Sequence, residues 1–120
     1  MSSNESVGHY VEEFARSVVQ QNEAIEAHDP LSGNVHAGRY LEAFRELRRA
    51  GDPGLDALSS LLEDERRDVR TMAACFLLAH KTEKALEVLR ASAQQRGVVG
   101  LGAVMTLKRW EEGTWDLDTI

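Results

Sequence analysis

Residues Val69 to Ala79 constrain this chain more than any other stretch. Val69, Met72, Ala73, Ala74, Cys75, Phe76, Leu77, Leu78 and Ala79 are apolar. Wound on a helix, they surround the axis instead of forming one stripe. A helix that is apolar on all sides sits in the middle of a structure, covered by other helices. The chain has the material to cover it. Its 120 residues are 42% apolar, enough for one real core at this length. Ala and Leu occur fourteen times each, Glu thirteen and Arg eleven, and all four are strong helix formers. No segment alternates β-branched residues with period two. The expectation is an all-α protein, a single helical domain over residues 1–120.

The flanking segments read as helices separated by breakers. A first helix is expected from about Ser6 to Ala27, with Val7, Val11, Phe14, Val18, Asn22 and Ile25 recurring at three and four residues. The stretch His28–Gly38, with Pro30, Ser32, Gly33, Asn34 and Gly38, reads as a long loop. A second helix follows from about Arg39 to Ala50, buried through Tyr40, Leu41, Phe44 and Leu47. Gly51 ends it. Asp52 as N-cap and Pro53 at the first helical position open a third, with Leu55, Leu58, Leu61 and Leu62 as its apolar face. Glu63–Arg67 is a charged turn. Asp68 is expected to cap the fourth helix, Val69 to Ala79, and Thr82 the fifth. Gly97 ends the fifth. The sixth, Val98 to Trp110, is again apolar nearly all round, so it too is expected at the centre. Gly100 and Gly102 within it cost about 1 kcal/mol each relative to Ala, which predicts close backbone approach to a neighbouring helix. Residues 111–120 form an acidic tail.

Shifting the chain by thirty residues superposes Val69 on Val99, Ala73 on Ala103, Ala74 on Val104 and Leu77 on Leu107. Helix pairs repeating at about this period are the signature of an α-solenoid. Residues 52–80 and 82–110 would be two helix-pair repeats, and residues 1–50 an N-terminal capping pair. The segment Asp68-Val69-Arg70-Thr71-Met72-Ala73-Ala74-Cys75-Phe76-Leu77-Leu78 resembles the second helix of a HEAT repeat. More widely, the opening Val11-Glu12-Glu13-Phe14-Ala15, the stretch Ala85-Leu86-Glu87-Val88-Leu89 and the closing Leu107-Lys108-Arg109-Trp110-Glu111-Glu112-Gly113-Thr114 resemble a small bacterial HEAT-like family of unknown function. The resemblance implies a short right-handed α-solenoid of HEAT or armadillo type, with about three helix pairs and six helices. It carries no catalytic motif.

The chemistry-bearing residues point away from catalysis. One cysteine excludes an intramolecular disulfide and a multi-Cys zinc site, and Cys75 lies amid apolar residues where a thiolate is disfavoured. His28, Asp29 and His36 are the nearest thing to a metal set, but the spacing fits no known pattern. Adjacent carboxylates at Glu12-Glu13, Glu63-Asp64-Glu65 and Glu111-Glu112 point about 100° apart on a helix. Gly97–Gly102 lacks the strand and Lys of a phosphate loop. The expectation is no enzyme, no cofactor and no metal. No run of eighteen apolar residues and no signal-peptide pattern are present, which predicts a cytoplasmic chain without a membrane span.

A net charge of −6 disfavours a nucleic-acid coat, which needs a basic footprint. The leading expectation is therefore a protein-binding module. By analogy with small acidic helical-repeat proteins of the kind it resembles, its sharpest version is an immunity protein that neutralises a cognate toxin, a basic toxin domain attracted by acidic edges. Partner-binding candidates are Trp115, Glu111, Glu112, Asp116 and Asp118 in the tail, then Glu63, Asp64 and Glu65. Trp is enriched at binding hot spots, yet Trp115 could equally close the end of the helical stack. Two alternatives remain open. Arg45/Arg48/Arg49, Arg66/Arg67/Arg70 and Lys108/Arg109 could line a nucleic-acid groove. A surplus of apolar surface could make an oligomerising element, the chain being a monomer or a homodimer.

Overall fold

The structure, a computed structural model, describes residues 3–117, with side chains described from Ser6 onward. Among the described residues it is all-α, six helices and no strand. They are α1 (Ser3–Glu26), α2 (Pro30–Arg49), α3 (Asp52–Leu58), α4 (Arg67–Leu77), α5 (Thr82–Ala93) and α6 (Val98–Glu112), with a 3-10 helix at Ser59–Glu63. The chain divides into two compact units, Met1–Ser60 and Leu61–Ile120. In the first, α1, α2 and α3 pack on one another; in the second, α4, α5 and α6 do. The third and fourth helices, expected as one pair, fall into different units.

The first unit corrects one expectation outright. Residues 30–38, read as a loop, are the first half of α2. Asp29 is the N-cap, its side chain accepting the Ser32 N–H at 3.2 Å, and Pro30 opens the helix. The turn before it is equally specific. His28 sits in the left-handed region at φ 57°. Its N–H donates to the Ile25 carbonyl and that of Asp29 to the Ala24 carbonyl, the bond pair that closes a helix C-terminus. Only two residues then separate α1 from the N-cap of α2. Gly33, expected as a breaker, is buried against Ala24, where a Cβ would stand 3.9 Å from the Ala24 Cβ. The core of this unit is Phe14, Val18, Tyr40, Ala43, Phe44, Leu47 and Leu58. Phe14 and Tyr40 meet edge to face, 5.8 Å between ring centroids.

In the second unit α4 occupies the place its composition demands. Val69, Ala73, Ala74, Cys75, Phe76 and Leu77 are all buried. Asp68 is not the cap; residue 66 holds that position. Asp68 lies inside the first turn, where it accepts the Val69 N–H and takes a two-point bond from the Arg66 guanidinium at 3.0 and 3.1 Å. Thr82 likewise is the first residue of α5 rather than its cap, and its hydroxyl donates to the Leu78 carbonyl.

The two units share a local device, a Gly-x-x-Gly at the start of a helix. Gly51 and Gly97 are the N-cap residues of α3 and α6, at φ 74° and 105° with ψ near extended values, a region open to glycine alone. Three residues on, a Cβ on Gly54 would run into the Leu47 carbonyl, and one on Gly100 into the Gln95 carbonyl. Gly100 does meet backbone closely, but that of the turn just before its own helix and not of a neighbouring helix. Gly102 has nothing within 4 Å of a would-be Cβ, so no neighbour explains it.

Candidate functional site

The sixth helix departs most from expectation, and the departure makes it the candidate site. α6 is not wrapped on all sides. Gly100, Ala103 and Thr106 are buried, with Val99, Leu107 and Trp110 half-buried. Val98, Leu101, Val104 and Met105 are 58%, 60%, 45% and 49% exposed. Their spacing of three, three and one residues lays Val98, Leu101 and Met105 on one outer face, with Val104 at its edge. Exposed Gly102 lies within that face, so a helix laid across it meets little side-chain bulk there. The apolar run gives way to charge at Lys108, Arg109, Glu111 and Glu112, all exposed. An apolar face bounded by charge is the composition of a contact surface, with a polar rim. In the first unit Leu31 and Val35, one turn apart on α2, are also exposed.

The tail residues singled out from the sequence separate into two kinds. Glu111 and Glu112 are the last residues of α6, and both are exposed, as is Asp116. Asp118 lies outside the described residues. Trp115 turns inward. Gly113, left-handed at φ 75°, closes α6, and the Thr114 and Trp115 N–H groups both donate to the Arg109 carbonyl. The chain then folds back, and the Trp115 Nε1–H donates to the Cys75 carbonyl at 2.9 Å. Cys75 lies in the last turn of α4, whose carbonyls lack partners within the helix. Trp115 therefore caps α4 from the end of the chain, and its polar atom is committed to that bond.

The second acidic group is also tied into the fold. Glu63 ends the 3-10 helix and is exposed, as is Glu65. Asp64 is half-buried and accepts the Arg66 N–H at 2.9 Å. The carbonyls of Asp64 and Glu65 both accept from Arg70 Nη1, at 2.7 and 2.9 Å. The turn is held by its backbone, while the Glu63 and Glu65 carboxylates face solvent.

Other chemistry is spread thinly. Hydrogen bonds from Ser32 hold the Asp29 carboxyl below its ordinary range, with attraction from His36 adding to them. The Nδ1 of His36 is buried without a partner among the described residues. No group of three His, Cys, Asp or Glu side chains among the described residues could hold a metal ion, and no helix there is long and apolar enough to cross a membrane. Cys75 is buried, its thiol 3.5 Å from the Thr106 hydroxyl, and burial pushes it up to about 11 from an ordinary 9.0. The unfolded thiol ionises near pH 9 and the folded one resists, so folding stability is expected to fall as pH rises from 9 to 11. The loss should reach about 2–3 kcal/mol. Urea titrations at pH 8 and pH 10 should already show about half of it, roughly 1.4 kcal/mol, and a Cys75→Ala variant should lack this alkaline loss.

With this geometry in view, the comparisons with known proteins place the fold. The chain is similar to the protein RPA1889 from Rhodopseudomonas palustris. That crystal structure matches with a TM-score of 0.85 at 29% identity, over 92% of each chain. No family model matches the chain, and no curated protein does. The likeness to RPA1889 supports the all-α fold at nearly full length and brings no activity with it.

Proposed function

We propose that this protein is a protein-binding helical module that docks a partner on the outer face of α6, and that it is not an enzyme. The observation that carries this reading is the exposure of Val98, Leu101, Val104 and Met105 on a helix whose opposite face is buried. Exposing that much apolar side chain opposes folding economy and favours association. The finer architecture we propose is a short right-handed α-solenoid of HEAT or armadillo type. It rests on the Asp68–Leu78 motif and on the serial order of the helices. In its sharpest form the reading is a cytoplasmic immunity protein against a toxin, with Glu111 and Glu112 at the end of the apolar face drawing in a basic partner.

The test is a double substitution, Leu101→Asp with Met105→Asp, in co-purification with the product of the neighbouring gene and in protection of cells against it. Both side chains face solvent, so melting should be unchanged. Partner affinity should fall by about a hundredfold, the loss expected for a central hot spot. No capture by the unaltered protein, or equal capture by the variant, would reject the reading. Sedimentation distinguishes a second copy as partner: a dimer that the variant converts to monomer assigns the face to self-association. A nucleic-acid groove has less support. Arg45 pairs with Glu42, Arg49 with Glu46 and Arg66 with Asp68, while Arg48 stacks over the Phe44 ring at 5.4 Å.

A further inference from the structure

A cleft of about 240 Å³, with polar and apolar surface in about equal measure, lies in the second unit between α4 and α5. Arg67, Arg70 and Thr71 line it from α4; Glu87 and Ser92 from α5; Gln95 from the turn beyond. Arg67 and Arg70 are half-buried and sit three residues apart on one side of α4, where like charges repel and destabilise the helix. Two other half-buried arginines of the chain have visible compensation, Arg45 in a carboxylate and Arg48 on an aromatic ring. Arg67 and Arg70 have neither: no carboxylate among the described residues lies within ion-pair distance of them.

The two guanidiniums are nonetheless fixed in place. The Arg67 Nε–H donates to the Ser92 hydroxyl at 3.3 Å, and Nη2 to the Arg96 carbonyl at 3.4 Å. The Ser92 and Thr71 hydroxyls share a hydrogen bond of 2.8 Å, and Thr71 bonds back to the Arg67 carbonyl at 2.7 Å. Ser92 and Thr71 are 4% and 5% exposed. This ring of bonds anchors one edge of the Arg67 fork. Arg70 spends its Nη1 on the Asp64 and Glu65 carbonyls. The Nη1 of Arg67, and the Nε and Nη2 of Arg70, have no partner among the described residues. A guanidinium held by one edge with its remaining donors unused is preorganised for a planar oxyanion.

We propose that this cleft is a binding site for a compact oxyanion, a carboxylate or a phosphoryl group, held between Arg67 and Arg70. Its volume lies below the usual range of drug-sized pockets, about 300–1,000 Å³, and so fits one anionic group rather than a large ligand. The oxyanion supplies the negative charge that the two arginines lack. Glu87 on the opposite wall opposes it, which makes the sign of a Glu87 substitution informative. The proposal is independent of the α6 face.

The full chain, labelled for NMR, is titrated at low salt with inorganic phosphate and, separately, with acetyl-aspartyl amide, a stand-in for an acidic side chain. Chloride at equal ionic strength is the control. The expected result is saturable shifts confined to the Thr71, Ser92 and Gln95 amides and the arginine Nε signals, absent with chloride. Arg70→Gln should weaken the binding by about tenfold or more, the loss of charge-assisted hydrogen bonds. Glu87→Gln should tighten it by roughly two- to fivefold, the scale of an exposed charge interaction. Tighter phosphate than aspartyl binding points to a free phosphoryl ligand, and the reverse order to an acidic residue of a protein. Shifts that do not saturate with either probe, that chloride reproduces, or that Arg70→Gln and Glu87→Gln leave unchanged would overturn the proposal. Arg70→Lys guards against misfolding: it keeps the charge, so it should fold and bind more weakly than the unaltered protein.

Discussion

Replacing Phe14 by alanine is expected to destabilise the protein by about 3–5 kcal/mol, the cost of emptying a fully buried aromatic site. Phe14 is 0% exposed and packs edge to face on Tyr40. The long α1–α2 contact closes around it. Val18, one turn on, and Phe44 and Leu47 on α2 are also buried. Truncation removes both the transfer free energy of the ring and the contacts its neighbours made with it. Against a total stability of about 5–15 kcal/mol for an ordinary domain, this is a large share. A chain of this length should show a fall in melting temperature of roughly 10–20 °C. Phe14→Leu keeps most of the volume and should cost far less, about 1–1.5 kcal/mol. Chemical denaturation of the two variants measures the difference; equal effects would mean that the ring is not the unit of packing there.

Gly100→Ala and Gly102→Ala should move stability in opposite directions, although they are two residues apart in one helix. On propensity alone, each gains up to about 1 kcal/mol from the exchange. At Gly102 nothing lies within 4 Å of the added methyl, so that gain should appear, about 0.5–1 kcal/mol. At Gly100 the methyl runs into the Gln95 carbonyl and comes within 3.1 Å of Arg67 Nη2. A backbone carbonyl cannot rotate away, so the start of α6 must shift, at a net cost of about 2–3 kcal/mol. The shift also presses on the Arg67 fork. Parallel thermal melts of both variants check the signs.

The fold class was legible because composition and periodicity report burial directly. The surround of apolar residues from Val69 to Leu77 required a covered helix, and α4 is one. The same inference failed at α6. Val98, Leu101, Val104 and Met105 are as apolar as α4, and whether a neighbour exists to cover them is a property of packing. The start of α2 was missed for a related reason. Asp29-Pro30 carries the same signal that marks Asp52-Pro53, but Gly33, Asn34 and Gly38 lower helix propensity across the next two turns. Packing on α1 outweighs that deficit, with Gly33 fitted against Ala24. A rule giving Asp-Pro equal weight at both places would have found the helix.

Candidate site residues were less legible, because a sequence shows which groups exist and not which are already engaged. Trp115 reads as a possible contact residue until its indole N–H is found on the Cys75 carbonyl, forty residues away. Arg67 reads as part of a charged turn and Arg70 as a residue of the fourth helix. Only their joint placement beside Ser92 and Gln95 makes a cleft, and no local signal in the chain announces that meeting. The chain by itself determined the all-α class, the breaks at Gly51 and Gly97 and the buried identity of α4, since these follow from backbone chemistry and near-neighbour spacing. Tertiary structure alone decided that α6 keeps an apolar face in solvent, that Trp115 closes α4, and that Arg67 and Arg70 have no carboxylate within ion-pair distance among the described residues. Each of those depends on which distant groups meet, and short-range patterns carry no information about that.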